Sequence, residues 1–226
     1  MPRLRGPAIT LPSEEEAWSL LNQQIYGSHQ KGGHHTQPNP DALPWSWEGK
    51  FEQEAPLLLE VGFNRGKFLT ALAQKFPHHN VVGIEIRRRF VWRIVQWLHQ
   101  HQDPKNIRVV WGDAKILLPH LFTPQSIEGL FITFPDPWWK KRHEKRRLVD
   151  TDFAQGVAQR LTIGGKVWVK SDVAMIAEEI KQALQARPEL GHLESFEQDD
   201  LPLTHREQHC VKQGMPIHRF CLTRIG

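Results

Sequence analysis

The sequence predicts an α/β fold, a mostly parallel, doubly wound sheet with helices on both faces. Three observations predict it. From Leu57 onward, short apolar runs alternate with segments of helical periodicity. The early apolar runs end in acidic residues or glycine-containing turns rather than in hairpin signals. No internal repeat interrupts the alternation, and 226 residues suit one decorated α/β domain. Parallel strands need long crossovers, and a helix is the usual one.

The elements follow in order. Leu57-Leu58-Leu59 is a buried-type strand that ends in Glu60 and a turn holding Gly62 and Gly66. Phe68, Leu69, Leu72 and Phe76 recur at helical spacing. Val81 to Glu85 is a second strand, and Phe90 to His99 a helix carrying Ile94, Val95 and Leu98. Ile107 to Trp111 is a third strand, followed by a helix over Ala114 to Leu121. Gly129 to Phe134 is a fourth strand, followed by a helix from about Leu148 to Leu161. Lys166 to Lys170 is a fifth strand, and Val173 to Ala186 a further helix. Segments near His192 to Phe196 and Ile217 to Leu222 complete the sheet.

The region before this unit differs in character. Ser13-Glu14-Glu15-Glu16, followed by Ala17, Trp18, Leu20 and Leu21, has the signature of a capped amphipathic helix. Gly27 to Pro44 is rich in Gly, His, Pro, Asn and Gln, as loops and linkers are. The expected organisation is therefore an N-terminal helix and flexible linker over 1–55 and one main domain over 56–226.

Composition narrows the function classes. No apolar run approaches the roughly 18 residues that span a bilayer, and the first residues do not have the charged-then-apolar pattern of a secretory leader. Two cysteines, Cys210 and Cys221, suit reduced thiols. The expectation is a cytoplasmic protein without a secretory leader, as a monomer or small homo-oligomer with no membrane partner. The net charge of +4 and the pI near 9.2 are modest. The excess is concentrated at Lys140, Lys141, Arg142, Lys145, Arg146 and Arg147. His29, His34 and His35 lie in the low-complexity stretch, and His99 and His101 end a helix. Neither group has a second half at zinc spacing, so no metal is assigned.

In doubly wound sheets, ligands sit beyond the carboxyl ends of the strands. Those ends carry Glu60 and Gly62, Glu85, Asp113, Asp136 and Asp172. Acids in such places also cap helices. The phosphate fingerprint Gly-x-Gly-x-x-Gly is absent, which disfavours a nicotinamide dinucleotide. An acidic loop suits a phosphate-free ligand with a cationic end, and S-adenosylmethionine has that form. Glu60 would favour the cationic end, Glu85 would accept from both ribose hydroxyls, and Asp113 would lie near the adenine.

Phe134-Pro135-Asp136-Pro137-Trp138 follows the fourth strand, stiffened by two prolines. It would hold Asp136 at a fixed place, with Trp138 or Trp139 free to stack on a base. The basic run follows directly, the footprint expected for a phosphate backbone.

The stretch Phe134-Pro-Asp-Pro-Trp-Trp-Lys-Lys-Arg-His-Glu-Lys-Arg-Arg147 resembles the bacterial tRNA (guanine-N7)-methyltransferase family. Gly83-Ile-Glu-Ile86, Gly112-Asp-Ala114, Gly164-Gly165 leading to Ser171-Asp172, and Thr204-His-Arg-Glu207 with Gly214 support the resemblance. It implies a Rossmann-like class I methyltransferase fold and an enzyme that methylates N7 of a variable-loop guanosine in tRNA. It implies S-adenosylmethionine held by Glu60, Gly62, Glu85, Asp113 and Asp136, with Asp136 also the catalytic residue. Lys140, Asp172, Thr204, His205, Arg206 and Glu207 would meet the substrate. Arg142, His143, Lys145, Arg146 and Arg147 would grip RNA.

The sequence departs from that family at several places. Asn64 stands where a second glycine is usual, and His205-Arg206 replaces Lys-Phe. His209 replaces an arginine, and Lys170-Ser171 precedes Asp172 in place of smaller residues. Two rival readings remain open. One methylates an exocyclic base amine, but such enzymes carry a second proline where Trp138 stands. The other is a non-catalytic RNA-binding module, which Asn64 keeps open.

Overall fold

The computed structural model describes residues 20–26, 36–101, 104–195 and 200–226. Its centre is a seven-stranded sheet made of β1 (Leu57–Val61), β2 (Asn80–Glu85), β3 (Ile107–Trp111), β4 (Ile127–Thr133), β5 (Leu161–Ser171), β6 (Leu190–Ser195) and β7 (His218–Arg224). The order is β3-β2-β1-β4-β5-β7-β6. The first five strands are parallel to one another, while β7 runs antiparallel to both β5 and β6. Strand order reverses between β1 and β4, which makes that junction the topological switch.

The helices are α1 (Leu20–Tyr26), α2 (Lys67–Lys75), α3 (Arg88–His101), α4 (Ala114–Leu121), α5 (Thr151–Arg160), α6 (Ala174–Gln185) and α7 (His205–Gln213). Side chains alternate across a strand, so β1 feeds two cores. Leu57, Leu59 and Val61 face the larger one, with α1, α4, α5 and α6. Leu58 faces the other, packed against Phe68, Leu69 and Leu72 of α2 and Phe90, Val91 and Ile94 of α3. Every residue of β1 and β2 is buried, as expected where both faces of a sheet are covered. Each fully buried Leu or Phe contributes about 1.5–3 kcal/mol.

Three expectations shift. The helix expected up to Leu161 ends at Arg160, and β5 begins at Leu161, not Lys166. A register break lets Ile127 pair with Leu161 but Gly129 with Lys166, and Gly164 at φ +83 lies among the residues it leaves out. The segment after Thr204 is a helix, which the periodicity of the sequence did not show. Its signal was the Thr-x-x-Glu box: Thr204 Oγ1 accepts from the Glu207 N–H, and the Glu207 carboxylate accepts from the Thr204 N–H. Gly214 closes that helix at φ +62.

The third shift concerns the N-terminal region. Ser13 to Trp18, His29, His34 and His35 lie outside the described residues. What is described is packed: Leu21, Ile25, Tyr26, Trp45, Trp47 and Phe51 belong to the larger core. The Trp47 indole donates to the Leu121 carbonyl at 2.7 Å and lies 5.5 Å from the Phe122 ring. Trp45, Trp47 and Phe51 thus pack into the core, while Ser46, Glu48 and Gly49 between them are exposed.

Candidate active site

A cavity of about 510 Å³ opens at the β1–β4 switch. Its floor is the turn from β1 to α2. Gly62 has φ +79, and no atom lies within 4 Å of where its Cβ would be, so the backbone faces open space. Asn64 has φ +50. Its backbone N–H donates to Glu85 Oε2 at 2.8 Å, and the Arg87 N–H donates to Glu85 Oε1 at 2.8 Å. Asparagine tolerates the left-handed region better than other side chains. The departure from glycine therefore keeps the backbone geometry and its donor.

Glu60 leaves β1 almost fully buried, at 1% exposure. Its Oε1 is 3.5 Å from the Thr133 hydroxyl, a long contact, and its Oε2 has no partner. Burial, reinforced by the nearby Glu85 charge, pushes its pKa up to about 8 despite the Thr133 contact. A buried, unsatisfied carboxyl is costly. Such a group lining a cavity marks a place where a cation or N–H donor belongs. The residues present therefore fit a donor with an amino or sulfonium end. Burial also raises the Glu85 pKa, with its two backbone N–H bonds opposing.

Asp136 stands opposite, in the loop after β4. Phe134 at φ +51 and Trp138 at φ +45 bracket it. Left-handed backbone at bulky residues costs on the order of 1–3 kcal/mol each and must be imposed by neighbours. Those neighbours are visible. The Phe134 N–H donates to the Lys170 carbonyl at 2.7 Å. Arg147 Nε donates to the Pro137 carbonyl at 3.2 Å, while its Nη1 contacts both Glu179 oxygens at 2.8 Å. Arg147 is only 17% exposed. Arg147, expected to grip RNA, here joins this loop to α6, its charge paired with Glu179.

The third wall is α7. Thr204, His205 and Arg206 line the cavity, and Arg206 Nε donates to Asp172 at 2.9 Å. Glu207 points the other way. It is 1% exposed and accepts from Lys170 Nζ at 3.2 Å and from Arg219 at 3.0 Å. Glu207, expected at the substrate, here fastens α7 to β5 and β7.

The basic run forms a 3-10 helix over Lys141–Arg146. Arg142, Lys145 and Arg146 are exposed, and Lys140 caps the start of the turn. Arg146 lies 5.3 Å over the Trp138 ring, and His143 meets that ring edge-on at 5.6 Å. Trp138 is therefore partly covered, whereas Trp139 is 68% exposed on the cavity wall.

The structure thus brings Glu60, Gly62, Asp136, Asp172, Thr204, His205 and Arg206 onto one cavity. Glu85 lies behind Asn64, and Lys140 and Glu207 are not on the wall. Asp113 caps α4 by accepting from the Lys115 N–H at 3.0 Å. Sequence reasoning missed Arg87, which pairs with Asp136 at 2.6 Å, and the Lys170 and Arg219 partners of Glu207. Arg87 follows Glu85 by two residues, but nothing local names a partner 49 residues away.

Comparisons with known proteins agree with this geometry. A family model described as "Putative methyltransferase" matches residues 54–220. A tRNA (guanine-N(7)-)-methyltransferase of Synechococcus sp. (strain JA-3-3Ab) is 35% identical over 192 residues, 83% of this chain and 80% of that protein. One from Rhodococcus jostii (strain RHA1) is 34% identical over 225 residues, 99% of this chain and 82% of that protein. Among solved structures, the 16S rRNA methyltransferase KamB superposes with a TM-score of 0.61 at 15% identity, covering 86% of this chain and 98% of that one. An S-adenosylmethionine-dependent O-methyltransferase from Thermotoga maritima gives 0.54 at 16% identity, covering 77% of this chain and 61% of that one. At these identities the structural likeness speaks to fold: it is the Rossmann-like fold of class I methyltransferases.

Proposed function

The chain belongs to the tRNA (guanine-N7)-methyltransferase family, and from that premise we propose that the cavity at the β1–β4 switch is where a tRNA guanosine meets the methyl donor. The enzyme is S-adenosylmethionine-dependent and methylates guanine N7 in tRNA. The guanosine is read as one in the variable loop. The observation that carries the site assignment is the buried Glu60 carboxyl, with one oxygen unpartnered on the wall of a cavity floored by the open Gly62 backbone.

When bound, S-adenosylmethionine supplies a methyl group on a cationic sulfur. Glu60 offers its free oxygen to the cationic end. Gly62 allows close backbone approach. Glu85, held by the Asn64 and Arg87 amides, keeps lone pairs for ribose hydroxyls. Asp113 marks the adenine end.

Guanine N7 has a lone pair and no proton, so the acceptor needs no general base. The protein's work is to align it and to stabilise charge that moves onto the purine. Asp136 is the carboxylate placed for that, on a loop whose geometry is braced by Lys170 and Arg147. Asp172, His205 and Arg206 face the base from α7 and the end of β5, and Trp139 offers a stacking surface. Arg142, Lys145 and Arg146 supply exposed charge beside the mouth for RNA phosphates. His143, packed on Trp138, supports that surface.

The test is methyl transfer from labelled S-adenosylmethionine to unmodified tRNA, with nucleoside analysis and sequencing of the labelled fragment. Label in 7-methylguanosine at a variable-loop position is expected. Label in a methylated exocyclic amine would overturn the target atom. RNA binding without any label would point to the non-catalytic module, against which the retained Asn64 amide already speaks.

A further inference from the structure

Helix α1 is fastened to the carboxyl end of β3, the edge strand beside Glu85. The Trp111 N–H donates to Asn22 Oδ1 at 3.0 Å, and the Tyr26 hydroxyl donates to the Trp111 carbonyl at 2.6 Å. Asn22 and Tyr26 are four residues apart and so share one face of the helix. Both are buried, at 0% and 1% exposure. One helix therefore holds both backbone groups of a single edge residue.

From Trp111 the ties run inward. Its indole N–H donates to the Ile86 carbonyl at 3.0 Å, and the Gly112 N–H donates to the Glu85 carbonyl at 3.1 Å. Gly112, at φ +152, passes so near the helix that a Cβ on it would lie 2.4 Å from the Tyr26 hydroxyl. Asp113 comes next. Burial and then the Asp113 charge push the Tyr26 pKa up, which keeps the phenol a donor.

We propose that α1 forms the outer support of the adenosine half of the donor site, with Asn22 and Tyr26 as positioning residues that set the Trp111–Asp113 segment against Glu85. The proposal rests on reading Glu85 and Asp113 as donor-holding residues. It makes the N-terminal helix part of the donor site, not an appendage. Each acts through the Trp111 backbone of β3.

The test uses the full chain and Tyr26→Phe, which keeps the ring and removes one hydroxyl. A net hydrogen bond is worth about 0.5–1.5 kcal/mol, so donor affinity should fall by roughly two- to tenfold. The KM for S-adenosylmethionine and the Kd for 5′-methylthioadenosine should rise together, with kcat at saturating donor and the KM for tRNA unmoved. Asn22→Ala should act in the same direction. An unchanged donor KM in both variants would overturn the proposal. So would equal rises in donor and tRNA KM with a lowered Tm, which would make α1 a general prop. Failure of the unaltered protein to bind 5′-methylthioadenosine would overturn the donor-site reading, and the proposal with it.

Discussion

Arg87 and Asp136 close a 2.6 Å ion pair between the loop after β2 and the loop after β4. Both side chains are about half exposed, at 42% and 56%, so the pair contributes little to stability. Its significance is placement, since it ties Arg87, whose N–H already holds the proposed ribose carboxylate Glu85, to the proposed catalytic residue. Asp136→Ala should lower kcat by about 100-fold, the scale of losing one preorganised electrostatic group. RNA affinity should stay within about twofold. Filter binding beside single-turnover kinetics checks this, and parallel losses would remove Asp136 from the chemistry.

Glu60 should make donor binding release a proton. Its folded pKa near 8 stands above the ordinary 4.5, so the ligand-free protein loses stability as pH rises from about 4.5 to about 8. A bound cation favours the carboxylate and lowers that pKa. Calorimetry in buffers of different ionisation enthalpy should show proton release near pH 7, and affinity should rise up to about pH 8. Glu60→Gln should abolish the proton release and weaken the donor by about tenfold or more. Proton uptake, or none, would separate Glu60 from the donor.

The basic 3-10 helix should divide into two functions. Neutralising Arg142, Lys145 and Arg146 together should weaken tRNA binding. The slope of log affinity against log salt should become shallower by roughly 0.7–0.9 for each phosphate no longer neutralised. Arg147→Ala should leave the salt slope alone and lower kcat, because Arg147 braces Pro137 and Glu179. Titrations from low to moderate salt distinguish the two, and a slope change from Arg147→Ala alone would contradict its bracing role.

Glu207→Ala should be a stability variant first. It would leave Lys170 and Arg219 without the carboxylate they share in the interior. Breaking a buried pair from one side costs roughly 3–5 kcal/mol. Thermal unfolding should show a large fall in Tm, with the remaining folded enzyme binding tRNA poorly because α7 is loosened. A variant that unfolds normally yet fails only on tRNA would return Glu207 to direct substrate contact.

Much of this was legible in the residues. Ile107–Trp111 and Ala114–Leu121 fall where alternation and periodicity put them. Acids at strand ends led to Glu60, Asp136 and Asp172, since strand termini of a doubly wound sheet converge. What stayed hidden has a common physical cause. Arg147 and Glu207 lie in polar motifs that read as surface, and only tertiary pairing shows one as a brace and the other as an anchor. Arg87 was silent because its partner lies on another crossover. The helix after Thr204 was missed although its capping box was written in the sequence, because its buried face is short, resting on Glu207 and Cys210.

Asn64 carries a lesson for recognising distant members of this fold. What the first turn hands down is the sign of a torsion angle and the direction of one amide, φ +50 and a bond to Glu85. Glycine is only the commonest spelling of that instruction. A search that demands the letter would discard this chain at its first turn, whereas one that asks which side chains can live at positive φ would keep it.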